Sequence, residues 1–309
     1  LYNNTQPEML PFLERLRALV DRYPGVTTLG EVSSEDSLAT MAEYTANGRL
    51  HMAYSFELLV DEYSGAHIRD TVETLEGRLG EGWPCWSMGN HDVRRVLTRW
   101  GVGEPDVRQA MMLNNLLLSL KGSVCSYQGE ELGLTEVPIE RSQLRDPYGI
   151  AFWPTFKGRD GCRTPLPWTS APDAGFSSAA PWLPVPEEHR AAAVSVQQEQ
   201  QDSVLNAYRR MTRLRRELSA LSSGDIRFLD TPGEALAFER VAPAETVICV
   251  FNLGRETLQL ALGGAGLAGL PAAASLEPIP GPNVSSGVIG DAGDAVVLPP
   301  FGCFFARLR

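Results

Sequence analysis

The feature that most limits what this chain can fold into is a repeated change of hydrophobic period over its first two thirds. Between residues 7 and 23 apolar side chains recur at Leu10, Phe12, Leu13, Leu16, Leu19 and Val20, a helical stripe, and residues 26–32 then read as a short buried strand. A helix over 37–47 leads into a strand at 51–59, whose continuous apolar and aromatic content suits cover on both faces. A helix over 66–79 is followed by a strand at 85–92, and a helix over 106–120 by a strand at 123–127. A last helix, over 197–217, carries Val204, Leu205, Tyr208, Met211 and Leu214 on one face.

Four βα units do not close on themselves. A parallel sheet of four strands leaves two apolar edges, near Val26 and near Val124, and a soluble protein covers such edges. The expectation for residues 1–222 is therefore an α/β fold, the second half of a TIM (β/α)8 barrel, strands five to eight, with the upstream N-terminal half on a missing segment or a separate polypeptide. Leu1 is no initiator Met and the first residues run straight into a helix, so the natural start is expected elsewhere.

Beyond Gly224 the pattern changes to short runs at 226–228, 235–239, 247–251, 258–260, 296–298 and 303–306, separated by turn residues. That is the pattern of an antiparallel β-sandwich, expected over 223–309, with the Ala- and Gly-rich stretch 262–274 as loop and weak strand. The segment 129–188, rich in Pro, Gly and Trp, is too long for an ordinary connection and is expected to lie over a site.

A net charge of −11, with 27 basic residues scattered among 38 acidic ones, argues against nucleic acid as a partner, because phosphate contacts need clustered Lys and Arg. No apolar run approaches the ~20 residues that span a bilayer, so no membrane partner is expected. Cys85, Cys125, Cys162, Cys249 and Cys303 show no C-x-x-C spacing and read as buried thiols of a reducing compartment, the cytoplasm, with the periplasm left open.

Glu31 ends the first strand and Asp92 the third, which puts both carboxylates at the C-terminal face, where barrel enzymes keep their active sites. His91 is placed to donate to a hydroxyl, and Arg95 and Arg99 follow at helical spacing. Taken singly, each has an ordinary explanation: a Glu after Gly is a common turn residue, and N-H-D is an ordinary Asx-turn sequence.

Together they are more specific. LGEV at 29–32 resembles the acid/base strand of the α-amylase family, and MGNHDVRRVLTRWG at 88–101 resembles the third-carboxylate motif of its α-glucosidases. YQGEELG at 127–133 and KGRDGCRTPLPW at 157–168 are similar to further segments of bacterial α-glucosidases of the oligo-1,6-glucosidase kind, and the resemblance covers essentially the whole chain.

The resemblance implies a retaining α-glucoside hydrolase for short substrates such as maltose, or a transglucosylase using the same covalent intermediate. In that mechanism two carboxyls stand about 5–5.5 Å apart and a glycosyl-enzyme forms between two steps. Glu31 takes the position of the acid/base and Asp92 that of the carboxylate gripping sugar hydroxyls in the transition state. His91, Arg99, Arg159 and Arg163 become candidate substrate-binding residues. The nucleophilic Asp falls upstream of Leu1, so this chain alone is not expected to catalyse. A calcium or magnesium ion, where the family binds one, also belongs to the upstream half, and no metal or other cofactor is assigned to residues here. Partners are then the short α-glucoside, water or an alcohol or sugar acceptor, and the upstream half of the barrel. RDPYGI at 145–150 resembles enzymes with a glucose-sized pocket.

Arg159 and Arg163 are equally placed to tie the long loop down. Trp83, Trp86, Trp153, Trp168 and Trp182 are expected mostly to pack rather than stack on sugars. Glu130 and Glu131 are expected to be structural, and His67 and His189 to lie at the surface. The competing function is a non-catalytic α-glucosidase-like binding or assembly protein, against which Glu31, His91 and Asp92 all count.

Overall fold

The computed structural model describes residues 5–80, 82–101, 103–263, 266–270, 275–281 and 284–309. Helix α1 (Met9–Val20) precedes strand β1 (Leu29–Val32). The alternation continues through α2 (Ser37–Thr45), β2 (Met52–Ser55), α3 (Gly65–Leu79), β3 (Trp83–Trp86), the short α4 (Val96–Arg99), α5 (Val107–Ser119) and β4 (Ser123–Val124). Helix starts are set by the side chains of Asp36, Ser64 and Asp106, which accept hydrogen bonds from first-turn amides of α2, α3 and α5 that have no partner within the helix.

The four strands form one parallel sheet in the order β1-β2-β3-β4, with Glu31 opposite Tyr54 and Cys85 opposite Ser123. Ile68, Val72 and Leu75 of α3 and Met112, Leu113 and Leu116 of α5 pack into the core beneath it. The inner strands β2 and β3 are almost wholly buried. The outer strand β1 is not: Leu29 is 44% exposed, and Val26 before it and Phe12, Leu19 and Tyr23 around α1 are exposed as well. Among the described residues no strand pairs with the outer edge of β1 or of β4.

The units are those expected, but the strands are shorter. The stretch 51–59 pairs only over Met52–Ser55, the strand expected at 85–92 starts earlier and runs over Trp83–Trp86, and 123–127 is strand only over Ser123–Val124. After Trp86 side chains take over from the ladder: Ser87 Oγ donates to the Gly89 carbonyl at 2.7 Å and the Asp92 amide donates to Asn90 Oδ1 at 2.9 Å. The helix expected over 197–217 is broken. The long loop carries α6 (Pro147–Phe152) and α7 (Glu187–Ala191) and ends at α8 (Val194–Gln197), and α9 (Val204–Glu217) starts anew from its Ser203 cap. Gln197 Oε1 accepts the Leu205 amide, and with Ser203 this fixes the corner.

After α10 (Ser219–Ser223) come β5 (Asp225–Leu229), β6 (Ala235–Ala242), β7 (Glu245–Asn252), β8 (Leu258–Ala261), β9 (Leu276–Pro278), β10 (Val288–Ile289), β11 (Ala295–Leu298) and β12 (Cys303–Leu308). They form a five-stranded antiparallel sheet, β5-β6-β7-β12-β9, and a three-stranded one, β10-β11-β8. Ala237, Ile248, Val250 and Phe304 of the larger sheet meet Leu260, Val296 and Leu298 of the smaller in one apolar cluster. The other face of the larger sheet, a chain of rings from Phe228 through Phe238 and Phe251 to Phe305, belongs to the same core as α3 and α5. Strands β9 and β10 are too short to leave a period in the sequence. Of the stretch 262–274, residues 264–265 and 271–274 lie outside the described residues, and Ala268 bridges to Asp230.

All five cysteines are free thiols, four of them buried. The two histidines expected at the surface are not there. His189 is buried with Nε2 3.0 Å from the Thr135 carbonyl, and His67 is half-buried with Nε2 2.8 Å from the Glu57 carbonyl, each spent on a loop oxygen that needs a donor. No helix among the described residues is long and apolar enough to cross a membrane.

Candidate active site

Glu31 is the third residue of β1, and its carboxylate is exposed at the C-terminal end of the sheet. A Cβ on Gly30 before it would lie 2.6 Å from Leu50 Cδ1, so a larger residue there requires the Leu50 side chain to shift. On β2, Tyr54 is the register partner of Glu31. Burial first, then the Glu31 charge, push the Tyr54 phenol up to about 12, so it is a neutral donor at any working pH. Asn90 in turn accepts the Asp92 amide and holds the turn that presents Asp92. Glu31 and Tyr54 are thus neighbours by register and Asn90 and Asp92 by hydrogen bond, at three neighbouring strand ends.

Asp92 is met by cations on one oxygen. Arg159 Nη1 and Arg163 Nη2 each donate to Asp92 Oδ1 at 2.9 Å, and His91 Nε2 lies 3.5 Å from the same atom. Arg163 also donates from Nε to the His91 carbonyl at 2.7 Å. Among the described residues no hydrogen bond reaches Oδ2, and Asp92 is a third exposed, so that oxygen is free to accept from a ligand hydroxyl. Beside Arg163 opens a cleft of 590 Å³ lined by Gln128, Pro165, Phe176 and Trp182, the last of these 83% exposed. A second cleft of 710 Å³ follows Glu31 along the chain, lined by Ser33, Ser34, Glu35 and Thr40. The described residues contain no group of three or more His, Cys, Asp or Glu that could hold a metal ion.

Two carboxylates thus stand at one end of the parallel sheet, one exposed and the other held by a fork of cations, and the comparisons with known proteins decide the family. The α-amylase family model, described as "Alpha amylase, catalytic domain", matches residues 1–224. The chain belongs to the α-amylase family. Within that family it is 43% identical to a probable α-glucosidase of Rhizobium meliloti over 312 residues, covering 100% of this chain and 54% of that protein. It is 27% identical to an oligo-1,6-glucosidase of Parageobacillus thermoglucosidasius, covering 83% of this chain and 51% of the relative. The crystal structure of an α-glucosyl transfer enzyme, XgtA, superposes with a TM-score of 0.92 at 54% identity, covering all of this chain and 56% of that one. The chain spans about half the length of the curated relatives it matches.

Of the residues read from sequence, the structure of this α-amylase family chain brings His91, Asp92, Arg159 and Arg163 together and puts Glu31 at the same sheet end. Arg99 it does not bring there. Arg99 is buried and donates Nε to the Val60 carbonyl at 3.0 Å and Nη2 to the Leu58 carbonyl at 3.2 Å, with further bonds to the carbonyls of Arg94 and Met88. Desolvation lowers it to about 10. Its expected substrate contact is corrected to a role behind the site, holding the Asp92 segment to the loop after β2. Helical spacing gave the direction of the side chain along α4 but not the carbonyls waiting there. Glu130, expected to be structural, is fully buried under the turn: a Cβ on Gly89 would lie 2.4 Å from its Oε1, and burial pushes it up to about 7.

Sequence reasoning missed Tyr54 and Asn90 as site residues. Parallel register would have found Tyr54, since the residue opposite a strand-end carboxylate shares its face. Asp146 was missed as well, for want of any sign in the sequence that the loop folds back on itself.

Proposed function

We propose that residues 1–222 supply strands five to eight of a (β/α)8 barrel and residues 223–309 a β-sandwich in a retaining α-glucosidase, or in an α-glucosyl transferase working through the same glucosyl-enzyme. The substrate is a short α-glucoside such as maltose. The observation that carries this is the meeting of Arg159 and Arg163 on one oxygen of Asp92, at the sheet end that also presents Glu31.

Glu31 protonates the leaving oxygen in the first step and in the second takes the proton of the incoming water or acceptor. Asp92, with Oδ1 engaged by two guanidiniums, turns Oδ2 to the hydroxyls of the bound glucosyl ring, a contact that strengthens as positive charge grows on that ring. Arg159 and Arg163 are then spacers between the long loop and the sugar, and His91, exposed beside Asp92, is a hydroxyl donor. The nucleophilic carboxylate comes from the upstream half, whose helices and strands also cover Leu29, Val26, Phe12, Leu19 and Tyr23. A calcium or magnesium ion, if one is bound, stays with that half.

Hydrolysis and transfer differ in whether water or an alcohol or sugar acceptor reaches the intermediate. The test is glucose release from maltose and from p-nitrophenyl α-glucoside, with and without an added alcohol, by the full-length polypeptide that carries this chain and by the chain alone. Activity of the first and silence of the second supports the half-site reading, and glucoside yield separates hydrolase from transferase. A full-length protein that binds glucose without turnover is instead the non-catalytic relative.

A further inference from the structure

Resting on the function proposed above, we propose that Asp146 is a positioning residue, which fixes the guanidinium of Arg159 so that one amino group is aimed at Asp92. The Asp146 side chain is completely buried inside the long loop, and both its oxygens are taken. Oδ2 accepts from the Arg159 amide at 2.9 Å and from Arg159 Nε at 2.8 Å, and Oδ1 accepts from the Tyr148 amide and from Arg159 Nη2, each at 3.1 Å. The two-point fork leaves one amino group over, and this is Nη1, which donates to Asp92 Oδ1 at 2.9 Å. The Tyr148 ring lies 5.5 Å from the guanidinium carbon and closes a third side.

The loop is built to deliver this fork. Asp160, itself buried, accepts the amides of Arg145 at 2.6 Å and Asp146 at 2.8 Å on Oδ2, so each arm of the loop caps the other. The arms come so close that a Cβ on Gly149 would lie 2.7 Å from Gly158 Cα, and Gly158 sits at φ +83°, next to the Asp146 side chain. An Arg whose only task was to tie the loop down would spend all its donors within the loop. Arg159 sends one out of it, to a carboxylate on another segment. Asp146 stays ionised down to a pH of about 2, because the Arg159 hydrogen bonds favour its charged form, so the fork is set before substrate arrives.

The experiment is a double-mutant cycle on kcat/KM for p-nitrophenyl α-glucoside in the full-length polypeptide, comparing wild type, Asp146→Asn, Arg159→Ala and the pair. If Asp146 acts through Arg159, Asp146→Asn lowers kcat/KM by about 10- to 100-fold and adds little to Arg159→Ala. Losses that multiply, or a folded Asp146→Asn enzyme within about twofold of wild type, overturn the proposal. Should Asp146→Asn not fold, Arg159→Lys replaces it: the lysine keeps the charge but lacks the planar fork that holds Asp146 at two points and aims a third nitrogen at Asp92, and full activity in that variant overturns the proposal equally. An inactive wild type would count against the function proposed above and not against the fork.

Discussion

Glu31 and Tyr54 are register partners across β1 and β2, and the charge of Glu31 helps to push the buried Tyr54 phenol up to about 12. Removing the hydroxyl in Tyr54→Phe keeps the ring and its packing but takes a neutral polar neighbour from the Glu31 carboxylate, and kcat for maltose is expected to fall by about tenfold, or about 1.4 kcal/mol in the barrier. Thermal unfolding of the same variant should stay within a few degrees of wild type.

Arg163 bonds both the carbonyl of His91 and the carboxylate of Asp92, so it sets the residue pair as a unit. Arg163→Ala is expected to raise KM and lower kcat/KM about 10- to 100-fold, with little change in the melting temperature, since its side chain is partly exposed. Steady-state kinetics on p-nitrophenyl α-glucoside reads the split.

Arg99 should behave in the opposite way. Its guanidinium satisfies carbonyls of residues 58, 60, 88 and 94, and Arg99→Met takes that donor from the oxygens of Leu58, Met88 and Arg94, while Val60 keeps Trp100 Nε1. A loss of about 3 kcal/mol in unfolding free energy is expected, with KM for the glucoside near the wild-type value in protein that remains folded. Urea unfolding followed by tryptophan fluorescence checks it.

Two buried groups give stability opposite slopes with pH. Burial, aided by Arg95, holds His189 down to about 4, so between pH 4 and 6.5 the unfolded chain binds the extra proton and stability rises with pH. Burial pushes Glu130 up to about 7 against the hydrogen bonds from the Tyr127 amide and Ser126 Oγ, so between pH 4.5 and 7 the folded chain binds the extra proton and stability falls with pH. Relative to wild type, His189→Gln should lose stability and Glu130→Gln should gain it as pH goes from 4.5 to 6.5, each by about 2 kcal/mol. Denaturant melts at the two pH values measure both.

What could be read from the sequence follows from how local the cause is. The βα alternation and the antiparallel runs were legible because hydrophobic period is a local record of which face is buried, and the motifs around Glu31 and Asp92 because the residues are adjacent in the chain. Strand ends were not: residues 87–92 look like strand, yet the Ser87 and Asn90 side chains withdraw them into a turn. Arg159 and Arg163 were placed near the site with tie-down as an equal alternative, and Arg159 does both, holding Asp146 and Asp92 with one group. The burial of Arg99 and His189 depends on carbonyls tens of residues away, such as those of Val60 and Thr135, and no window along the chain contains them.

The most direct test is Glu31→Gln in the full-length polypeptide, assayed on p-nitrophenyl α-glucoside with azide present, alongside maltose. The account predicts that maltose turnover falls by about 10²- to 10⁴-fold, while azide, which needs no general base, restores turnover of the activated substrate and yields α-glucosyl azide with the configuration retained. Maltose turnover near the wild-type rate, or a β-configured azide, would contradict the assignment of Glu31 as the acid/base of a retaining enzyme.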